Sequence, residues 1–230
     1  MEITEPMAIG VETKDCTALS DAELSDMADI SAGGAPGDTA AADVGVLSKA
    51  RDEWVLVTQA YDGEKLAGFA FCTLERIGGT PCVLIGMASI RPGSSSEAVL
   101  EAIRGDDLRR AVLAFPDEDV LVATRLAAPD GYTMFGPLED VVPRPGHKPT
   151  GEERAWARRL AKRFGAEGRV NDRTFVVEGN GDVPGILDYH NGPPDEAVKV
   201  FFDGFDRERG DTLIVFGWAM AEDLAPLATR

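Results

Sequence analysis

The sequence predicts a single α+β domain, a mixed central β-sheet flanked by helices with a C-terminal extension. Three observations predict it. Segments 54–61, 66–76 and 81–90 are rich in β-branched, aromatic and small apolar residues, and Asp62-Gly63 and Gly78-Gly79 separate them, so they read as an antiparallel meander. A helical apolar pattern then runs through Val99, Leu100, Ile103, Leu108, Val112 and Leu113. Segment 119–126 reads as a fourth strand, and the intervening helix is the crossover that a parallel pairing with the third strand requires.

The elements follow in order. Ser20 and Glu23 form a capping box that starts a first helix with Leu19, Leu24, Met27 and Ile30 on its apolar face. The Ala/Gly-rich stretch 31–43 reads as a loop and 44–49 as a short helix or turn. In the third strand Gly86 signals a bulge or the close approach of a ligand backbone. Ser94 and Glu97 make a second capping box for the crossover helix, with Gly105 as a point of interruption. Segment 129–149 is rich in Pro and Gly and reads as loop. Thr150 and Glu153 make a third capping box, for a helix with Trp156, Leu160 and Phe164 at i, i+4, i+8 and Gly165 as its stop. Segment 173–178 reads as a strand and 179–194 as turns. Segments 198–205 and 212–219 read as a final antiparallel pair.

Composition narrows the function classes. Against 23 Lys+Arg stand 40 Asp+Glu, a formal net charge of −17, which repels nucleic acid and anionic membranes at long range. The three cysteines, Cys16, Cys72 and Cys82, are odd in number and lack C-x-x-C spacing, which points to a reducing cytoplasm and no disulfide scaffold. The N-terminal MEITEPMAIG has no basic or long apolar stretch, so no signal peptide is expected, and no apolar run is long enough to span a bilayer. His147 and His190 lie in separate loops without a metal-site pattern; Asp188, Tyr189 and His190 read as a polar cluster or a solvated turn. No G-x-S-x-G elbow, Walker loop or G-x-G-x-x-G is present. Arg154, Arg158, Arg159, Lys162 and Arg163 gather on one helix and read as a face paired with the protein's own carboxylates, or as a patch for an acidic ligand.

The order helix, meander, loop, helix, strand resembles the GNAT superfamily of N-acetyltransferases. The stretch 83–90, Pro92, the loop Gly93, Ser94, Ser95, Ser96, the strand 120–125 and Tyr132 carry the resemblance, over roughly residues 15–142. The family's loop reads Arg/Gln-x-x-Gly-x-Gly/Ala; aligned on Arg91, this chain has Ser94 and Ser96 where small glycines stand. The resemblance implies one GNAT-like domain over 1–230, with an acyl-CoA-binding core and a C-terminal helix and strands from 143. It implies acetyl-CoA as co-substrate and a small-molecule amine as acceptor. Met87, Ala88, Ser89 and Ile90 would align the pantetheine arm, Arg91 and Gly93–Ser96 would hold the pyrophosphate, and Tyr132 would protonate the departing thiolate. The serine loop also fits a plain turn, and Tyr132 a loop anchor. Glu75 and Asp62 are carboxylates available as general base. The Ser94 and Ser96 departures motivate a second reading, an inactive GNAT-fold binding or oligomeric module. Phe201, Phe202, Phe205, Phe216 and Trp218 offer apolar surface for core or for a homodimer.

Overall fold

The computed structural model describes residues 9–32, 42–181, 187–188 and 195–229. In chain order its elements are β1 (Gly10–Asp15), α1 (Asp21–Ala32), α2 (Val44–Glu53), β2 (Leu56–Asp62), β3 (Lys65–Ile77), β4 (Thr80–Ile90), α3 (Ser96–Ala114), β5 (Val120–Leu126), β6 (Glu139–Val142), α4 (Gly151–Arg163), β7 (Val176–Val177), β8 (Leu187–Asp188), α5 (Glu196–Lys199), β9 (Thr212–Ala219) and α6 (Ala221–Leu224). The strands form one mixed sheet in the order β1-β2-β3-β4-β5-β9-β6, with β7 pairing β9 and β8 pairing β4. The meander is antiparallel throughout, and β5 joins β4 in parallel after the α3 crossover, as the sequence predicts. The fold is α+β, a mixed sheet with helices on both faces, as the sequence predicts.

Alternation along β3 explains why both faces are covered. Phe69 and Phe71 point to one side, where Leu24, Met27 and Ile30 of α1 and Leu47 of α2 meet them. Ala70 and Cys72 point to the other, toward Val99, Leu100 and Ile103 of α3. Each fully buried large side chain contributes roughly 1.5–3 kcal/mol, so the strand is anchored from both sides. The α3 face is built of small residues because the helix approaches closely: a Cβ on Gly68 would lie 2.7 Å from Val99 Cγ1. All three cysteines are buried and unbridged. Among the described residues no helix is long and apolar enough to cross a membrane.

Several expectations are corrected. β1 was not read from the sequence; it pairs with β2 as an additional edge strand. α2 runs four residues beyond 49, so Trp54 is its C-cap and not the first residue of a strand. The Ser94–Glu97 capping box does not form: Ser95 occupies the cap position of α3 without a side-chain hydrogen bond. Gly105 does not break α3, because packing on the sheet outweighs the propensity cost of roughly 1 kcal/mol for one glycine. Segment 129–149 holds a 3-10 helix, Pro129–Phe135, as well as β6. Only Val176–Val177 of segment 173–178 is strand, since Phe175 sits at φ 65°, a left-handed conformation that a strand excludes.

The clearest miss is 198–205, which is α5 and a 3-10 turn, Val200–Phe202, not a strand. Asp195 caps Ala197 N at 2.9 Å, and Glu196 pairs with Lys199 one turn on. Val198, Phe201, Phe202 and Phe205 follow i, i+3, i+4, i+7, a helical period that was present in the sequence. Phe216 is buried, and Phe201, Phe202, Phe205 and Trp218 pack partly buried against the main core. β9 pairs instead with β5, β6 and β7.

Candidate functional site between β4 and β5

The site starts where a ladder ends. β4 and β5 pair from Cys82 opposite Leu121 to Ile85 opposite Thr124. There the Thr124 hydroxyl donates a 2.8 Å hydrogen bond to the Ile85 carbonyl. The next residue of β4, Gly86, is a bulge: Phe71 faces Met87 and Cys72 faces Ile85, with Gly86 skipped. The sequence signalled a bulge or the close approach of a ligand backbone at this glycine. The bulge is present, and the group that approaches closely is the Trp54 indole of the chain itself; a Cβ on Gly86 would lie 1.8 Å from Trp54 Cε2.

Beyond the bulge β4 continues to Ile90 and β5 to Leu126 without pairing to one another. Ala88 and Ser89 pair in parallel with Leu187 and Asp188 of β8. β8 also lies against β5 and the Pro129–Phe135 turn. The edge of β4 that the sequence offers to a pantetheine arm is therefore occupied by a short strand of the chain itself.

β4 leads directly toward the N-terminus of α3. Arg91 N donates to Ala67 O at 2.7 Å, and the Ser96 hydroxyl and N–H both donate to Gly93 O, at 2.9 and 3.3 Å. Among the described residues the Ser95 side chain makes no cap hydrogen bond to the first turn of α3, which leaves the positive dipole end of the helix without a side-chain cap. Arg91 Nε is buried and has no hydrogen-bond partner among the described residues. Met87, Ala88, Ser89, Ile90, Arg91, Gly93, Ser94, Ser95 and Ser96 thus form one continuous run from the bulge to the helix.

Tyr132 stands in the Pro129–Phe135 turn that β8 touches. Its hydroxyl donates to Pro143 O at 2.7 Å, and its ring packs on Phe135 and Phe201. Burial pushes the phenol up to about 12, against the pull of nearby Arg144, so it is a neutral donor. Of the two carboxylates named as bases, Glu75 accepts from Arg163 Nε at 2.6 Å, and Asp62 is exposed at the end of β2. His147 bonds both oxygens of Glu153 at 2.9 Å. Tyr189 and His190 lie outside the described residues. Among those described, no group of three His, Cys, Asp or Glu is placed to hold a metal. On α4, Arg158, Lys162 and Arg163 each meet a carboxylate of the chain, and Arg159 lies over Trp156.

Sequence reasoning missed Trp54 and Arg125. Arg125 carried a usable signal, since it is the one charged residue in the otherwise apolar strand VLVATRL. Trp54 carried none, because its contact with Gly86 joins distant parts of the chain.

No protein-family model matches the chain. No curated protein matches it. Solved structures do match. An acetyltransferase from Bacillus subtilis in complex with CoA is 8% identical at a TM-score of 0.42, covering 92% of this chain and 99% of that one. The ribosomal-protein-S18-alanine N-acetyltransferase of Escherichia coli is 12% identical at 0.38, covering 62% and 86%. A GNAT family acetyltransferase from Brucella melitensis in complex with acetyl-CoA is 12% identical at 0.36, covering 49% and 75%. The chain is similar to these proteins in fold. What they bind or acetylate is a property of those proteins.

Proposed function

We propose that the chain binds an acyl-CoA in the β4–β5 cleft and transfers the acyl group, acetyl by preference, to a small-molecule amine. The observation that carries this reading is the splay of the two parallel strands beyond Ile85 and Thr124, whose β4 edge runs on into the uncapped N-terminus of α3. A backbone edge offers alternating donors and acceptors to the amides of a pantetheine arm. A helix start that has no side-chain cap among the described residues, preceded by Arg91, suits a pyrophosphate. The serines at 94 and 96 leave the backbone donors in place and add hydroxyls, although Ser96 already uses its own on Gly93 O.

In the proposed reaction the acceptor nitrogen attacks the thioester carbonyl carbon. The C–N bond forms as the C–S bond breaks, nitrogen loses a proton to solvent water, and the thiolate takes one from a donor that solvent then reprotonates. Tyr132 is the proposed donor to sulfur. Its neutral phenol fits that role, and donation requires its hydrogen bond to move from Pro143 O to the sulfur. The arm would lie along Ala88 and Ser89, where β8 now pairs, so ligand binding displaces β8. The same occupied edge favours a second reading, a GNAT-like binding module without turnover.

Two experiments test the proposal. Calorimetric titration with acetyl-CoA should show one site; no heat at millimolar ligand sinks it. If CoA binds, Tyr132→Phe separates the readings. Loss of thiol release by about 10²-fold or more supports the transferase, whereas binding without amine-dependent thiol release in either protein supports the module.

A further inference from the structure

On the Trp54 side of the Gly86 bulge lies a cavity of about 700 Å³. That size suits a small molecule. Gly86 and Met87 form part of its wall, so it adjoins the segment of β4 proposed to align the pantetheine arm.

The charge of this cavity runs against that of the protein. In a chain of net charge −17, its lining holds Lys49, Arg125, Arg163 and Arg169 against one acidic residue, Glu53. Glu75 neutralises Arg163. Arg169 spends its donors on two backbone carbonyls, those of Glu178 and Gly165. Arg125 makes no hydrogen bond or ion pair among the described residues; its guanidinium lies over the Phe164 ring, 5.4 Å from the centroid. Its Nε is buried without a partner among the described residues, and so is the hydroxyl of Thr212, another lining residue. Burial and the Arg169 charge push the Arg125 guanidinium below its ordinary value, with Glu53 acting the other way. A guanidinium Nε and a hydroxyl buried without partners cost stability, so this end of the cavity is not built for packing alone.

We infer that this cavity is the acceptor site and that it selects an amine carrying a carboxylate, held by the planar fork of Arg125. A guanidinium matches a carboxylate two bonds at a time. Trp54 and Phe164 supply an aromatic wall for the carbon skeleton. The acceptor role rests on the acyl-transfer reading; the carboxylate site does not.

The test uses the full chain without CoA. Its Arg Nε–H resonances are followed while 3-phenylpropionate or its neutral amide, 3-phenylpropionamide, is titrated. The carboxylate should shift the Arg125 signal saturably at millimolar concentration and bind at least tenfold tighter than the amide. Arg125→Gln should abolish the difference, and Lys162→Gln, on an exposed turn of α4, should preserve it. No saturable shift, or equal affinity for acid and amide in the unmodified chain, overturns the proposal whether or not the variant folds. Inorganic phosphate displacing the carboxylate at lower concentration also overturns it, in favour of a phosphate-bearing ligand. If the carboxylate binds while acetyl-CoA does not, the site stands and the transferase reading falls.

Discussion

Asp107 shows how strongly the α3 face constrains single residues. Its side chain is buried between α3 and the sheet, where it accepts from the Thr58 hydroxyl at 3.0 Å and the Cys72 thiol at 3.7 Å, while Oδ2 has no partner among the described residues. Burial pushes the carboxyl up to about 7, with Thr58 pulling the other way. Below pH ~3.8 the group is protonated in both folded and unfolded chains and has no effect on stability. Between 3.8 and about 7 the folded chain holds a proton that the unfolded chain has lost, so stability falls as pH rises through that window, by up to about 1.4 kcal/mol per unit. Thermal melts of Asp107→Asn should therefore lose less stability between pH 5 and pH 8 than the unmodified chain; identical losses would show that Asp107 does not titrate there. Gly86 is the second decisive residue. Gly86→Ala forces a Cβ into the Trp54 ring, and because that ring packs against Phe164 and Arg163, overpacking should cost about 1–3 kcal/mol in denaturant melts.

Among the elements, those with local causes were legible. The capping boxes at Ser20–Glu23 and Thr150–Glu153 both form, each with its side-chain bonds made, because they depend on residues three apart. The meander was legible from its turns and from alternation. The failures are elements whose causes are distant or ambiguous. α5 carries an apolar pattern that also resembles a short strand, β6 and β7 exist because β9 provides an edge, and β8 exists because β4 leaves one. The run 87–96 was legible as a strand that exits into a helix, whereas the Arg125 cavity needed the fold to bring Trp54, Arg125 and Thr212 together. Thr150→Ala tests the local kind of cause. It removes the oxygen that accepts from Glu153 N and should lower stability by about 1 kcal/mol while leaving carboxylate binding at the far end of α4 unchanged.

For the molecule as a whole, the proposed chemistry gathers around Gly86. The N-terminus of α3 follows the end of β4, while Trp54, the residues that end α4, and Arg125 line the cavity that Gly86 helps to wall. In the proposed reaction acyl donor and acceptor approach one bulge from opposite sides, and the ligand replaces β8, which pairs with Ala88 and Ser89. Amide hydrogen exchange of the full chain with and without acetyl-CoA tests this most directly. Binding should slow exchange across residues 87–96 and speed it at Leu187 and Asp188. Unchanged exchange in both segments at millimolar acetyl-CoA, or protection confined elsewhere in the chain, would contradict it.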